Sequence, residues 1–229
     1  PNQNGLLELC RSIERKNVSV QTHFDLLPEV SENLSLVAGL PRISRWTDLR
    51  VSTLRELWRK SRETFDVVIA DVGAVLELDH SLMHETSLPR RHAASLTALE
   101  AAAVTFICAR ADSVGITRLV RGYLEFHELF ANSEVHVLLW GVVNDAQSKD
   151  VRAAVSRHTG IESIFETSYD FEITRKALQH GSFVSKLDSK NVIAKEFEAI
   201  ATMIHKHLEQ QNKTPLQPKP KRSLLKRAA

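Results

Sequence analysis

Short apolar runs alternate along this chain with longer stretches of helical period. Residues 65–70 (FDVVIA), 104–109 (VTFICA) and 135–143 (VHVLLWGVV) are apolar nearly throughout, not at every second position. That pattern predicts strands covered on both faces. Residues 34–38 and 163–166 predict two shorter strands. Between them, apolar residues recur three and four apart, the period of an amphipathic helix. Helices are predicted over 51–63, with Val51, Leu54, Leu57 and Trp58 on one face, and over the Ala/Leu-rich 90–102. Others are predicted over 113–130, with Ile116, Leu119, Val120, Tyr123 and Leu124 facing inward, over 147–158, and over 169–179. A last one over 191–211 carries the stripe Ile193, Phe197, Ile200, Ile204 and Leu208. Gly160 and Gly181 stop the two helices before them. Residues 72–88 are polar and irregular. The alternation implies right-handed βαβ units, hence an α/β fold: a three-layer, mostly parallel sheet with helices on both faces.

Composition narrows the classes. The 229 residues are 43% hydrophobic and 25% charged, ordinary for a globular protein. No apolar run reaches the ~18 residues of a membrane-spanning helix. The opening PNQNGLLELC has no signal-peptide pattern. Cys10 and Cys108 stand far apart and no paired Cys/His zinc spacing occurs, which suits a reducing, cytoplasmic setting. The net charge of +2 hides an asymmetry. Residues 212–229 hold six basic side chains, no acidic one and three of the seven prolines. The other 211 residues, with 24 basic and 28 acidic side chains, carry −4. The expected organisation is one domain over 1–211 and a disordered basic tail over 212–229. The tail reads as a solvated terminus, with non-specific DNA or an anionic membrane surface as its candidate partners.

Candidate chemistry belongs at the C-terminal ends of the strands, where open parallel sheets bind ligands. Polar clusters follow each apolar run: Asp71 with Gly73, Arg110 with Asp112, Asn144 with Asp145, and Thr167, Ser168 and Asp170. Asp, Asn and Ser also suit turns and helix N-caps, which is the plainer reading of each cluster. Asp71 differs. A carboxylate that ends an apolar strand, with glycine just beyond, suits a Mg²⁺-nucleotide site. Against this stands the glycine count. None of the eight glycines precedes a lysine, and neither GxGxxG nor GxxxxGK[ST] occurs. His80 and His84, with Glu85, have a metal-like spacing in an irregular segment; His205 and His207 fall on different helix faces and read as solvated.

The segments LVAGLPRISRWTDLR, FDVVIADVG, PRRHAASLTALEAA, ARADSVGITRLVRGYLEF and LLWGVVND together resemble the ParA/MinD-type ATPases, deviant-Walker P-loop proteins. The resemblance covers roughly residues 34–185 and is nearest an actinobacterial branch of partitioning, septum-site and pilus-assembly proteins. It implies ATP and Mg²⁺ as cofactors, with Asp71 supporting the metal through water and Gly73 beside it. It implies that Asn144 contacts adenine and that Asp170 lines the base pocket. The proline that usually precedes such an aspartate is missing; Thr167, Ser168 and Tyr169 stand there. It also implies a homodimer, an unidentified protein partner, and a positioning or partitioning role driven by a nucleotide-dependent switch. The family's phosphate loop, with its first and second strands, is expected upstream of residue 1. The chain alone is therefore expected not to hydrolyse ATP. The alternative is a non-catalytic relative kept as an interaction domain in pilus or secretion assembly or in septum regulation.

Overall fold

A computed structural model describes residues 5–15, 20–73 and 91–213. The predicted irregular stretch lies largely outside them, as do Arg90, the His80, His84 and Glu85 group, and the tail from residue 214 onward.

The chain opens with helices α1 (Leu6–Arg15) and α2 (Val20–Phe24), which the periodicity did not single out. Strands β1 (Glu29–Ser31) and β2 (Leu34–Ser35) then form a small antiparallel hairpin. The predicted strand over 34–38 is thus only partly formed, and Ala38 instead bridges Gly5, taking the Leu6 amide at 2.8 Å. A 3₁₀ turn over Ile43–Asp48 leads into α3 (Val51–Thr64). Leu9, Cys10, Phe24, Leu49, Leu54 and Leu57 form one buried cluster here. Helix α4 (Ala93–Ala101) packs along α3. Trp58 Nε1 donates to Thr97 Oγ1 at 2.9 Å, and Arg55 pairs with Glu100.

The second half is built as predicted. Strands β3 (Val104–Arg110), β4 (Glu134–Val142) and β5 (Ile164–Ser168) make a parallel sheet in the order β3–β4–β5. Val104 faces Glu134 and Arg110 faces Trp140; Val137 faces Ile164. Helices α5 (Ser113–Leu129) and α6 (Asp145–Thr159) make the crossovers and pack on each other. Val137, Leu139, Val155 and Leu119 lie at the centre of this second core. Helix α7 (Phe171–His180) ends at left-handed Gly181, and a short α8 (Val184–Leu187) follows. Helix α9 (Val192–Lys213) lies against β5, burying Ile193, Ala194 and Ile200. The architecture is α/β, with a parallel sheet flanked by helices. Two side chains assigned to inward faces, Leu124 and Phe197, are exposed.

The largest departure is at residues 65–70. They carry no strand assignment, bend at Asp66 and join no sheet among the described residues. Val67, Val68 and Ile69 are 49%, 42% and 84% exposed. Among the described residues, 66–73 make no backbone–backbone hydrogen bond. The expectation of a buried strand fails because, among the described residues, the sheet reaches only to β3.

Two glycines of α5 offer a test of packing against propensity. A Cβ on Gly115 would collide with the Arg110 carbonyl, whereas one on Gly122 would meet nothing within 4 Å. Helix propensity alone favours Ala at both by about 1 kcal/mol. Gly122→Ala is therefore expected to raise unfolding stability by about 0.5–1 kcal/mol. Gly115→Ala is expected to lower it by roughly 1–3 kcal/mol through overpacking. Urea unfolding of the two variants checks the sign of each.

Candidate functional site at the C-terminal edge of the sheet

The polar residues beyond β3, β4 and β5 prove to be helix caps. Asp112 Oδ1 accepts from the Gly115 amide at 2.7 Å, opening α5. Asn144 Oδ1 accepts from Gln147 N at 3.0 Å, opening α6, and Asp170 Oδ1 accepts from Ile173 N at 3.1 Å, opening α7. Each cap satisfies one of the unpaired amides of a first helical turn. The plainer reading of these clusters thus holds as local structure. It also limits the chemistry, because one first-turn donor of each helix is already occupied by the chain's own side chain.

Further contacts stiffen this edge. Gln147 bridges two strand ends: Nε2 donates to the Ala111 carbonyl at 2.5 Å, and Oε1 accepts from Val143 N at 2.8 Å. Arg110 pairs with Asp112 at 2.9 Å and stacks its guanidinium 5.5 Å from the Trp140 ring centroid. Trp140 is accordingly half exposed at the edge, not a core residue. Gly141 adopts φ +81° where the β4–β5 register shifts, and Tyr169 N bonds the Val142 carbonyl just past that bulge. Asp170 Oδ2 accepts from Asn191 Nδ2 at 3.1 Å, tying α7 to the start of α9. The Ile173 amide, then the Asn191 amide group, hold the Asp170 carboxyl below the usual aspartate range.

Asp71 sits apart from these caps. It is exposed and has no hydrogen-bond or ion-pair partner among the described residues. It lies within electrostatic reach of Cys108 in the C-terminal half of β3. The Cys108 thiol is pushed up first by burial and then by the Asp71 charge. A carboxylate with no partner among the described residues keeps its oxygens free for a hydrated cation. Gly73, two residues on, is exposed and has open space where a Cβ would stand. Asn144 and Asp170 stand at the C-terminal edge of the sheet, and among the described residues no hydrogen bond or ion pair joins Asp71 to either. Among the described residues, no group of three His, Cys, Asp or Glu side chains is arranged to hold a metal.

A second polar cluster lies at the opposite end of β4. His136 Nδ1 meets Ser163 Oγ at 2.6 Å, and its Nε2 lies 3.3 Å from Glu134 Oε1 without hydrogen-bond alignment. His207 Nδ1 reaches the same carboxylate oxygen at 3.2 Å. His207 is thus largely buried against the sheet, contrary to its expected solvation. His205, on another face, pairs with Glu209 in solvent. The alternation of β4 places His136 on the face opposite Val137 and Leu139, against Phe106 and Phe165; a histidine inside an apolar run was the available signal.

No protein-family model matches the chain, and no curated protein matches it in sequence. Its structure is similar to the crystal structure of a ParA family ATPase from Chlorobium tepidum TLS, with a TM-score of 0.62 and 15% sequence identity. The match covers 86% of this chain and 73% of that one. At that identity the likeness is one of fold: the chain has the α/β architecture of a ParA family ATPase.

Proposed function

We propose that this chain is the larger, C-terminal part of a ParA/MinD-like nucleotide-dependent switch. The observation that carries the reading is Asp71: an exposed carboxylate, without a partner among the described residues, in a chain of ParA-like fold. In the proposal Asp71 holds Mg²⁺ through water, with Gly73 leaving the approach open. Mg²⁺ bound there would neutralise phosphate charge. Asn144 uses its Oδ1 to cap α6, which leaves its amide nitrogen to donate to an adenine edge. Asp170, held by Ile173 and Asn191, fixes the wall of the same pocket. In the proposal the phosphate grip is a lysine-bearing, glycine-rich loop, which these 229 residues do not contain. Nucleotide-driven pairing of two copies and release from DNA, membrane or partner protein complete the proposed cycle. Val143, Tyr169 and Phe171 are exposed at the same edge and favour a protein contact there. That contact also suits the alternative, an interaction domain without catalysis.

Two measurements bear on this reading. The chain as given is expected to show no Mg²⁺-dependent ATP hydrolysis. Joined to an upstream glycine-rich lysine loop, it is expected to bind a fluorescent ATP analogue in a Mg²⁺-dependent manner. Asp71→Asn should then reduce the Mg²⁺ dependence about tenfold or more, a loss of ~1.4 kcal/mol or greater. Hydrolysis by the chain alone would sink the proposal, and so would Mg²⁺-dependent binding indifferent to Asp71→Asn.

The second concerns Asp170. Its folded carboxyl titrates below the ordinary range, so its stabilising contribution is present above the unfolded value and is lost as pH falls through the lowered one. The Ile173 amide resonance should therefore titrate with a midpoint below the usual aspartate range. Asp170→Asn, which retains the acceptor oxygen, should abolish that titration and keep α7 capped. A midpoint at or above the ordinary range would contradict the cap.

A further inference from the structure

The turn that carries Tyr169 and Asp170 out of β5 is fastened chiefly to α9. Along β5, Val137 N donates to the Ser163 carbonyl and Tyr169 N to the Val142 carbonyl, each at 3.0 Å. Alternation along a parallel strand therefore turns the Ser168 amide away from β4. No strand is assigned to that side of β5 among the described residues. Glu196 of α9 stands there instead. Its Oε2 accepts from Ser168 N at 2.9 Å and its Oε1 from Ser168 Oγ at 2.6 Å. One carboxylate thus closes on both donors of a single residue, which fixes direction as well as distance. Two residues on, Asp170 Oδ2 accepts from Asn191 Nδ2 at 3.1 Å. The same Asn191 takes the Ile193 amide on Oδ1 at 2.9 Å, at the first turn of α9.

These contacts link a rigid element to the exposed edge. Ile193, Ala194 and Ile200 are buried where α9 packs on β5, so the helix cannot shift along the strand without carrying Glu196 with it. The Tyr169 ring lies by Gly141 in its φ +81° bulge, where an added Cβ would stand 3.8 Å from it, and most of that side chain is in solvent. Asp170 caps α7 with its other oxygen. Against β4 the turn 168–170 has the one backbone bond from Tyr169 N; against α9 and its first turn it has two bonds from Glu196 and one from Asn191.

We propose that Glu196 is a positioning residue: through it and Asn191, α9 sets the direction in which Tyr169 and Asp170 meet a bound base, and a displacement of α9 is read at that wall. The inference deepens the nucleotide reading and rests on it for the identity of the ligand; the fastening of the turn does not depend on it.

Proline at position 168 separates positioning from simple stabilisation. The Ser168 amide serves Glu196 and not β4, so proline there removes no ladder bond, and Thr167 before it is in a strand, which proline permits. Proline also fixes its own φ and needs no acceptor. Amide hydrogen exchange is followed on the chain as given, without nucleotide, for the wild type, Glu196→Ala, Glu196→Gln and the double variant Ser168→Pro with Glu196→Ala. Alanine suits a helix interior, so α9 is retained. Glu196→Ala is expected to speed exchange at Tyr169 and Ile173 by about tenfold, the scale of a lost charge-assisted hydrogen bond. The core amides of Val137, Leu139 and Val155 should not change. Glu196→Gln, which keeps one acceptor, should fall between, and the double variant should return Tyr169 and Ile173 most of the way to wild type. Adenosine titrated into the same samples is expected to shift the Asn144 and Tyr169 resonances, to bind several-fold more weakly to Glu196→Ala, and to recover in the double variant. Unchanged exchange in Glu196→Ala, loosening spread evenly through the core, no recovery with Ser168→Pro, or adenosine binding indifferent to Glu196→Ala would overturn the proposal. Adenosine that binds no sample, wild type included, would count against the nucleotide reading alone, because the exchange pattern is measured without a ligand.

Discussion

A parallel sheet is held by hydrogen bonds made on both edges of each strand, and an interior strand is stable because neither edge is left to water. Strand β4 meets that condition, with β3 on one side and β5 on the other. Its Val137 and Leu139 are fully enclosed. Strand β3 meets half of it. Most of what is unusual about this chain follows from that half. The apolar residues 65–70 pair with no strand among the described residues, and Val67 and Ile69 meet solvent. Cys108 is exposed although its neighbours in sequence are those of a buried strand. Asp71 has no hydrogen bond or ion pair with the strand-end residues Asn144 and Asp170 among the described residues.

The paired side of the sheet shows what the same sequence grammar does when the condition is met. Beyond β3, β4 and β5 the chain turns directly into α5, α6 and α7, each opened by its own Asp or Asn cap. Gln147 ties the turns after β3 and β4 together, and Asn191 ties α7 to α9. The edge is therefore preorganised. Its helix N-termini point to the side where a charged ligand would sit, while part of their donor capacity is spent on the chain itself. A ligand with several negative charges would need additional donors. That requirement is what links an edge rich in caps to a phosphate grip from another segment.

Much of this was legible in the sequence. Continuous apolar runs separated by helical periods gave β3 to β5 and α5, α6, α7 and α9 to within about two residues at each end, because those strands are covered and those helices amphipathic; the short α8 left no such signal. The cap residue types were legible too, though only Asp112 stands immediately before its expected helix; Asn144 lies three residues ahead of 147–158 and Asp170 inside 169–179. Periodicity could not say whether an apolar run has a neighbour. Residues 65–70 carry the same signal as β3, and only the sheet order distinguishes them. It also undervalued α1 and α2, whose packing depends on Leu49, Leu54 and Leu57 from a distant helix and turn. His207 was misread for a similar reason: its partner Glu134 is more than seventy positions away, and no spacing rule reaches that far.

The central claim is that, among the described residues, β3 has one paired edge and one open edge. Amide hydrogen exchange resolved residue by residue over 104–110 and 135–141, on the chain alone, tests it most directly. The account predicts alternation along β3: amides directed at β4 are protected, and those directed away exchange nearly as fast as in an unfolded chain. Along β4 both sets should be protected. Uniform protection of β3, at protein concentrations where the chain is a monomer, would contradict the account.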